Sequence, residues 1–90
     1  MVYFIQEGKT GPIKIGSAET KKHAIQRMRS FQIGNSLKLY LIFLIEGGID
    51  LERALHRKFR DYRIRGEWFM NCDRIQNYIS NLQEKSLLNV

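Results

Sequence analysis

The sequence predicts a small α/β domain, strands and helices mixed around one sheet, with residues 1–90 as a single unit. Three observations predict it. Two short runs rich in β-branched and aromatic residues open the chain on either side of a glycine-bounded turn. A long apolar run, Leu37 to Ile45, sits mid-chain. Around it, three segments repeat apolar residues at three- and four-residue spacing, the period of a helix with one buried face.

Val2-Tyr3-Phe4-Ile5 and Pro12-Ile13-Lys14-Ile15-Gly16 read as a hairpin closed by Gly8-Lys9-Thr10-Gly11. With those four residues as the loop, Glu7 faces Pro12, Ile5 faces Lys14 and Tyr3 faces Gly16. Alternation then puts Tyr3 and Lys14 on one face as diagonal neighbours, whereas a slip of one residue sends Lys14 to the other face. Gly16 has no side chain, which leaves space beside the Tyr3 ring.

Glu19 to Gln32 follows as a helix, with Ala24, Ile25, Met28 and Phe31 toward the core and Gly34 near its end. Leu37 to Ile45 begins as an alternating strand and becomes continuously apolar, the pattern of a central strand covered on both faces. Glu46-Gly47-Gly48 breaks it. Asp50 is expected to cap a second helix running to about Tyr62, with Leu51, Leu55 and Phe59 buried. Glu67 to Met70 reads as a short extended piece. Asp73 and Gln76 form a capping-box pattern for a third helix lined by Ile75, Tyr78, Ile79 and Leu82, and Leu87 to Val90 are expected to fray.

The chain carries 15 Lys and Arg against 9 Asp and Glu, a net charge of +6, and its pI is about 9.8. That balance suits a polyanionic partner. The seven apolar residues from Leu39 to Ile45 fall far short of a membrane span. Met1 leads into a strand rather than a signal pattern, so a cytoplasmic protein without a membrane partner is expected. The lone Cys72 excludes an internal disulfide or a thiol zinc cluster and reads as a small apolar residue before a helix.

Four strings then fall in a telling order: Val2-Tyr3-Phe4, Ile13-Lys14-Ile15-Gly16, Arg27-Met28-Arg29-Ser30-Phe31 and Leu51-Glu52-Arg53-Ala54-Leu55. Together they resemble the GIY-YIG endonuclease superfamily. Glu52 with His56, followed by Gly66-Glu67-Trp68-Phe69, is similar to its small single-domain branch in phages, bacteria and mobile elements. The resemblance implies a three-stranded antiparallel sheet flanked by about three helices, and hydrolysis of DNA phosphodiesters with one divalent cation, Mg²⁺ or Mn²⁺. By position, Tyr3 matches the tyrosine proposed as general base, Arg27 the arginine on the scissile phosphate, and Glu52 the sole carboxylate ligand of the metal. Lys14 stands where the second motif often has tyrosine and some restriction enzymes have lysine. Phe31 departs from the pattern, occupying a place where tyrosine or histidine often contributes a polar group.

The residue chemistry agrees with this set. A phenol of ordinary pKa ~10 is a poor base unless a neighbouring cation stabilises its anion, and Lys14 is placed to do that. A single carboxylate suits Mg²⁺, which keeps most of its waters. Glu52 and His56 lie four apart on one helical face, either as a hydrogen-bonded surface pair or as ligand and supporting histidine, with His56 alternatively a proton donor to the leaving group. Arg57, Lys58, Arg60, Arg63 and Arg65 form the densest positive run, a solvated face or a track for a phosphate backbone. Trp68 and Phe69, before a core-facing helix, read as packing residues, with stacking on nucleobases the alternative. Three functions follow: a metal-dependent DNA endonuclease, with RNA left open, acting as a monomer or weak dimer; a non-cleaving nucleic-acid-binding module whose site has decayed; or, were the motif matches accidental, a basic interaction domain with no nucleic-acid role.

Overall fold

The computed structural model describes residues 1–88, with side chains through residue 84. Its strands are β1 (Val2–Glu7), β2 (Ile13–Ser17), β3 (Leu39–Ile45), β4 (Arg63–Arg65) and β5 (Trp68–Phe69). The helices are α1 (Lys21–Ile33), α2 (Ile49–Lys58), which a 3₁₀ turn at Arg60–Tyr62 follows, and α3 (Asp73–Leu88). The strands form one antiparallel sheet in the order β3-β1-β2-β5-β4.

The hairpin has the register that its turn predicts. Tyr3 pairs with Gly16 and Ile5 with Lys14, and the Glu7 amide donates to the Pro12 carbonyl at 3.0 Å. The sheet is wider than the three strands expected. Gly66, at φ 53°, turns the chain between β4 and β5, a conformation that costs glycine little. The resulting ribbon adds to the outer edge of β2. These strands have three and two residues, too few for alternation to announce them.

The mid-chain apolar strand also differs from expectation. β3 is an edge strand bonded only to β1, and six of its seven residues are half-buried. Its continuous hydrophobicity does reflect cover on both faces. Leu39, Leu41 and Leu44 pack on one side and Phe43 and Ile45 on the other, with Ile42 skipped in the pairing beside Phe4. The inner strand with two covered faces is β1, where Val2 to Gln6 are all buried.

Helices cover the two faces unequally. α1 lies on the side of Tyr3 and Ile5, contributing Ala24, Met28 and Phe31. Ile25, expected in that stripe, instead lines a surface hollow with Lys21, Lys22 and Arg29. Thr20 caps α1, its hydroxyl accepting from the His23 amide at 3.2 Å. On the opposite face Leu55 and Phe59 of α2 and Ile75 and Ile79 of α3 meet Val2, Phe4, Ile13, Ile15 and Phe69. Cys72 is half-buried against this cluster, as its position suggested.

Two capping expectations are corrected. Gly48 occupies the N-cap of α2 without a side-chain bond, and Asp50 sits inside the first turn, where its charge still meets the positive end of the helix dipole. The Gln76 side chain donates to Asn71 Oδ1 at 2.9 Å instead of closing a box with Asp73. Part of the expected terminal fraying falls on Asn89 and Val90, which lie outside the described residues; α3 itself runs to Leu88. No helix among the described residues is long and apolar enough to cross a membrane.

Phe59 is fully buried and meets Tyr78 edge-on with ring centroids 5.7 Å apart. Phe59→Ala is expected to cost about 3–5 kcal/mol, a large share of the stability of a chain this size. Equilibrium urea denaturation would register the loss; a change under about 1 kcal/mol would contradict this packing.

Candidate active site

The site is built around the last residues of β2. Gly16 faces Tyr3 across the hairpin, and a Cβ placed on Gly16 would collide with the Tyr3 hydroxyl and come within 2.8 Å of Glu67 Oε2. The absent side chain is therefore what admits both the phenol and a carboxylate to one small notch.

Glu67 is held there by the main chain. Pairing alternates along the hairpin, and the Glu7/Pro12 bond marks Phe4/Ile15 as a pair without mutual hydrogen bonds. The amide and carbonyl of Ile15 consequently point outward. The amide donates to the Glu67 carbonyl at 3.0 Å, and the carbonyl accepts from His56 Nε2 at 2.8 Å. His56 also meets the Phe69 ring edge-on at 5.1 Å. Its observed partner is thus β2 rather than Glu52, and it docks α2 against the strand that carries Lys14 and Gly16.

Lys14 shares the Tyr3 face, as the register predicted, and its ammonium lies against aromatic rings. It sits 4.5 Å from the Phe31 ring centroid and 5.4 Å from that of Trp68, and 3.9 Å from Glu67 Oε2. Phe31 therefore serves as a platform for the lysine. Cation–π contact of this kind favours a fixed ammonium.

Arg27 and Glu52 approach Tyr3 from opposite layers. A hollow of about 450 Å³ joins Ser17 and Ala18 at the end of β2 to Arg27 of α1 and to Gly48 and Ile49 at the start of α2. Glu52 lies one turn into α2, so α2 reaches the Tyr3 neighbourhood by its N-terminal end although it packs on the other face. The phenol feels all of these groups. Burial pushes its pKa above the ordinary value, and the Glu67 carboxylate adds to the rise. The Arg27 guanidinium facing the hydroxyl pulls the other way, and Glu52 raises it slightly further. Lys14 does not contribute, which corrects the expectation that it would stabilise the phenolate.

A family model described as the T5orf172 domain matches residues 1–83. The chain belongs to the T5orf172 domain family. This is a phage-associated family linked to nuclease-type folds. No curated protein and no solved structure matches the chain.

In this T5orf172 domain the basic run is divided. Arg57, Lys58 and Arg60 are exposed at the end of α2 and just beyond it. Arg63 pairs across the ribbon with Phe69, and Arg65 with Trp68. Since neighbours in register share a face, Arg63 belongs to the α2/α3 side and Arg65 to the side of Lys14. Arg65 lines a hollow of about 410 Å³ with Trp68, Ile64, Pro12, Asn35 and Glu7. Trp68 is half-buried and Phe69 fully buried, in keeping with packing roles.

Glu67 is the residue of the site that sequence reasoning missed. Its only signal was its place in Gly66-Glu67-Trp68-Phe69, and nothing in that string says that β5 joins β2.

Alkaline titration tests the surroundings of Tyr3. The phenols of Tyr3 and Tyr78 are both raised by burial. A phenol that ionises later folded than unfolded contributes stability that is complete below about pH 10 and lost as pH rises through the folded value. Tyr3→Phe should delete one late-ionising phenol from the ultraviolet titration and weaken the alkaline loss of stability. Loss of an early-ionising phenol instead would contradict this environment.

Proposed function

We propose that this T5orf172 domain is a divalent-metal-dependent DNA endonuclease of the GIY-YIG kind, acting in the cytoplasm as a monomer or weak dimer. The observation that carries the reading is the meeting of the Tyr3 hydroxyl and the Glu67 carboxylate over Gly16, beside the hollow that Arg27 lines together with the start of the Glu52 helix. Phosphodiester hydrolysis needs a positioned water, positive charge for the phosphoryl oxygens and a proton acceptor. Arg27 binds the scissile phosphate from α1. The Tyr3 hydroxyl orients the attacking water. Lys14, fixed over Phe31, adds positive charge on the same face.

The donor set fits one kind of metal. Among the described residues no group of three His, Cys, Asp or Glu side chains could hold an ion, which disfavours a zinc-type cage. Mg²⁺ or Mn²⁺ bound through Glu52, with waters and phosphate oxygens completing the shell, suits a single carboxylate. Such an ion supplies neutralisation of charge on the phosphoryl group. His56 supports this arrangement by seating α2, and so Glu52, on β2.

A non-cleaving nucleic-acid-binding module is the second reading, favoured by one observation. Phe31 offers no polar group, and Lys14 above it is already paired with Glu67. Nicking of supercoiled DNA with Mg²⁺ or Mn²⁺ separates the two. Glu52→Gln should lower metal-dependent cutting by about 100-fold or more, while DNA binding without metal stays equal or tightens as a negative charge is lost. Wild-type protein that binds DNA without cutting it under either ion would leave the binding module.

The exposed arginines give a separate readout. If Arg65 contacts a phosphate, Arg65→Ala should flatten the log–log salt dependence of DNA affinity by about one unit. An unchanged slope would remove Arg65 from the interface.

A further inference from the structure

The notch over Gly16 holds two oxygen groups capable of taking a proton from water, and they differ in every property that matters for the task. Tyr3 is 1% exposed, whereas the Glu67 side chain is 41% exposed. An acceptor must hand its proton on to bulk solvent after each turnover, so accessibility favours the carboxylate. Protonation favours it as well. At pH 7 a phenol of ordinary pKa ~10 is ionised in only about one molecule per thousand, so the Tyr3 hydroxyl is a donor rather than an acceptor. Burial and Glu67 itself make the Tyr3 anion rarer still.

Resting on the endonuclease reading, we propose that Glu67 is the proton acceptor of the reaction, and that Tyr3 remains protonated and holds the attacking water by its hydroxyl. The position of Glu67 is not incidental. Its carbonyl accepts the Ile15 amide at 3.0 Å, its carboxylate lies 3.9 Å from Lys14 Nζ, and only the missing side chain of Gly16 lets Oε2 and the Tyr3 hydroxyl share the space. The charged and titratable groups around the phenol are Glu67 before β5, Lys14 on β2, Arg27 on α1 and Glu52 on α2. The two cations keep an approaching phosphate from being repelled by the two carboxylates.

In the step itself, the water oxygen forms the new bond to phosphorus as its proton passes to a Glu67 carboxylate oxygen. The bond from phosphorus to the leaving ester oxygen breaks, and its electron pair departs with that oxygen, which takes a proton from solvent. The Glu67 carboxylic acid then returns its proton to solvent. Lys14 takes no part in the proton transfer and holds the carboxylate over the notch.

Nicking of supercoiled DNA by the full chain, with Mg²⁺ or Mn²⁺, tests the assignment. Glu67→Gln should lower kcat by about 10²–10⁴-fold while leaving DNA affinity within about threefold of wild type. Glu67→Ala should regain cutting as formate is added, in proportion to the formate anion, and Glu67→Gln should not, because its amide fills the place. The same loss should appear when Glu67→Gln is made in a Lys14→Met background; a residue that merely tethers Lys14 would cost nothing more there. Circular dichroism confirms that each variant is folded, and formate rescue reads the chemistry without depending on the glutamine variant. If wild-type protein does not cut, the endonuclease reading falls and this assignment with it. If wild type cuts, but Glu67→Gln cuts within about threefold of it or formate restores nothing, the acceptor role alone is overturned.

Discussion

The main chain of Ile15 is the constraint on which the candidate site depends. Its side chain is buried in the core beneath the α2/α3 layer, so the strand cannot shift without exposing it. Its amide and carbonyl both face away from β1, and each takes a partner from a distant part of the sequence: Glu67 from the approach to β5 and His56 from α2. Buried backbone groups must be satisfied, so one residue obliges the ribbon and the helix to converge. Lys14 and Gly16, its two neighbours, are thereby set between Glu67 on one side and Tyr3 on the other. A site assembled on strand neighbours inherits the stiffness of the sheet.

Charge is distributed by the same geometry. A net charge of +6 says that the protein attracts polyanions, yet within the site the fixed charges alternate: Arg27 at the phenol, Glu67 between phenol and lysine, Lys14 over two aromatic rings. Burial first and the Glu67 carboxylate second hold the Tyr3 phenol above its ordinary pKa, while Arg27 and Lys14 keep positive charge on the same face. The exposed arginines of α2 and β4 lie outside this arrangement and suit long-range attraction, which falls away with salt.

Local features were legible in the sequence and long-range pairings were not. The hairpin register followed from the glycine-bounded loop at Gly8–Gly11, and with it the shared face of Tyr3 and Lys14. The buried stripes of α2 and α3 followed from their spacing. Hydropathy misplaced β3, because apolar content reports whether a residue is covered and not whether its strand has one neighbour or two. The five-strand sheet was hidden by the brevity of β4 and β5, which are stable only as additions to β2. His56 shows the same limit: spacing linked it to Glu52 four residues before, whereas its ring reaches Ile15, 41 residues away.

Phe31 shows how a departure from a motif can be absorbed. In the sequence it is a missing hydroxyl or imidazole. In the fold its ring lies beneath the Lys14 ammonium, with Trp68 as a second aromatic surface. An ammonium held by ring faces and one carboxylate loses freedom that a solvated strand lysine would keep, so less entropy is lost when an anion arrives. A tyrosine at this position would add a polar group but would also offer a competitor for the hydrogen bonds of the notch. The apolar ring leaves the Lys14 ammonium paired with Glu67, and in the proposed reaction the polar group missing at Phe31 is replaced by one from the turn before β5.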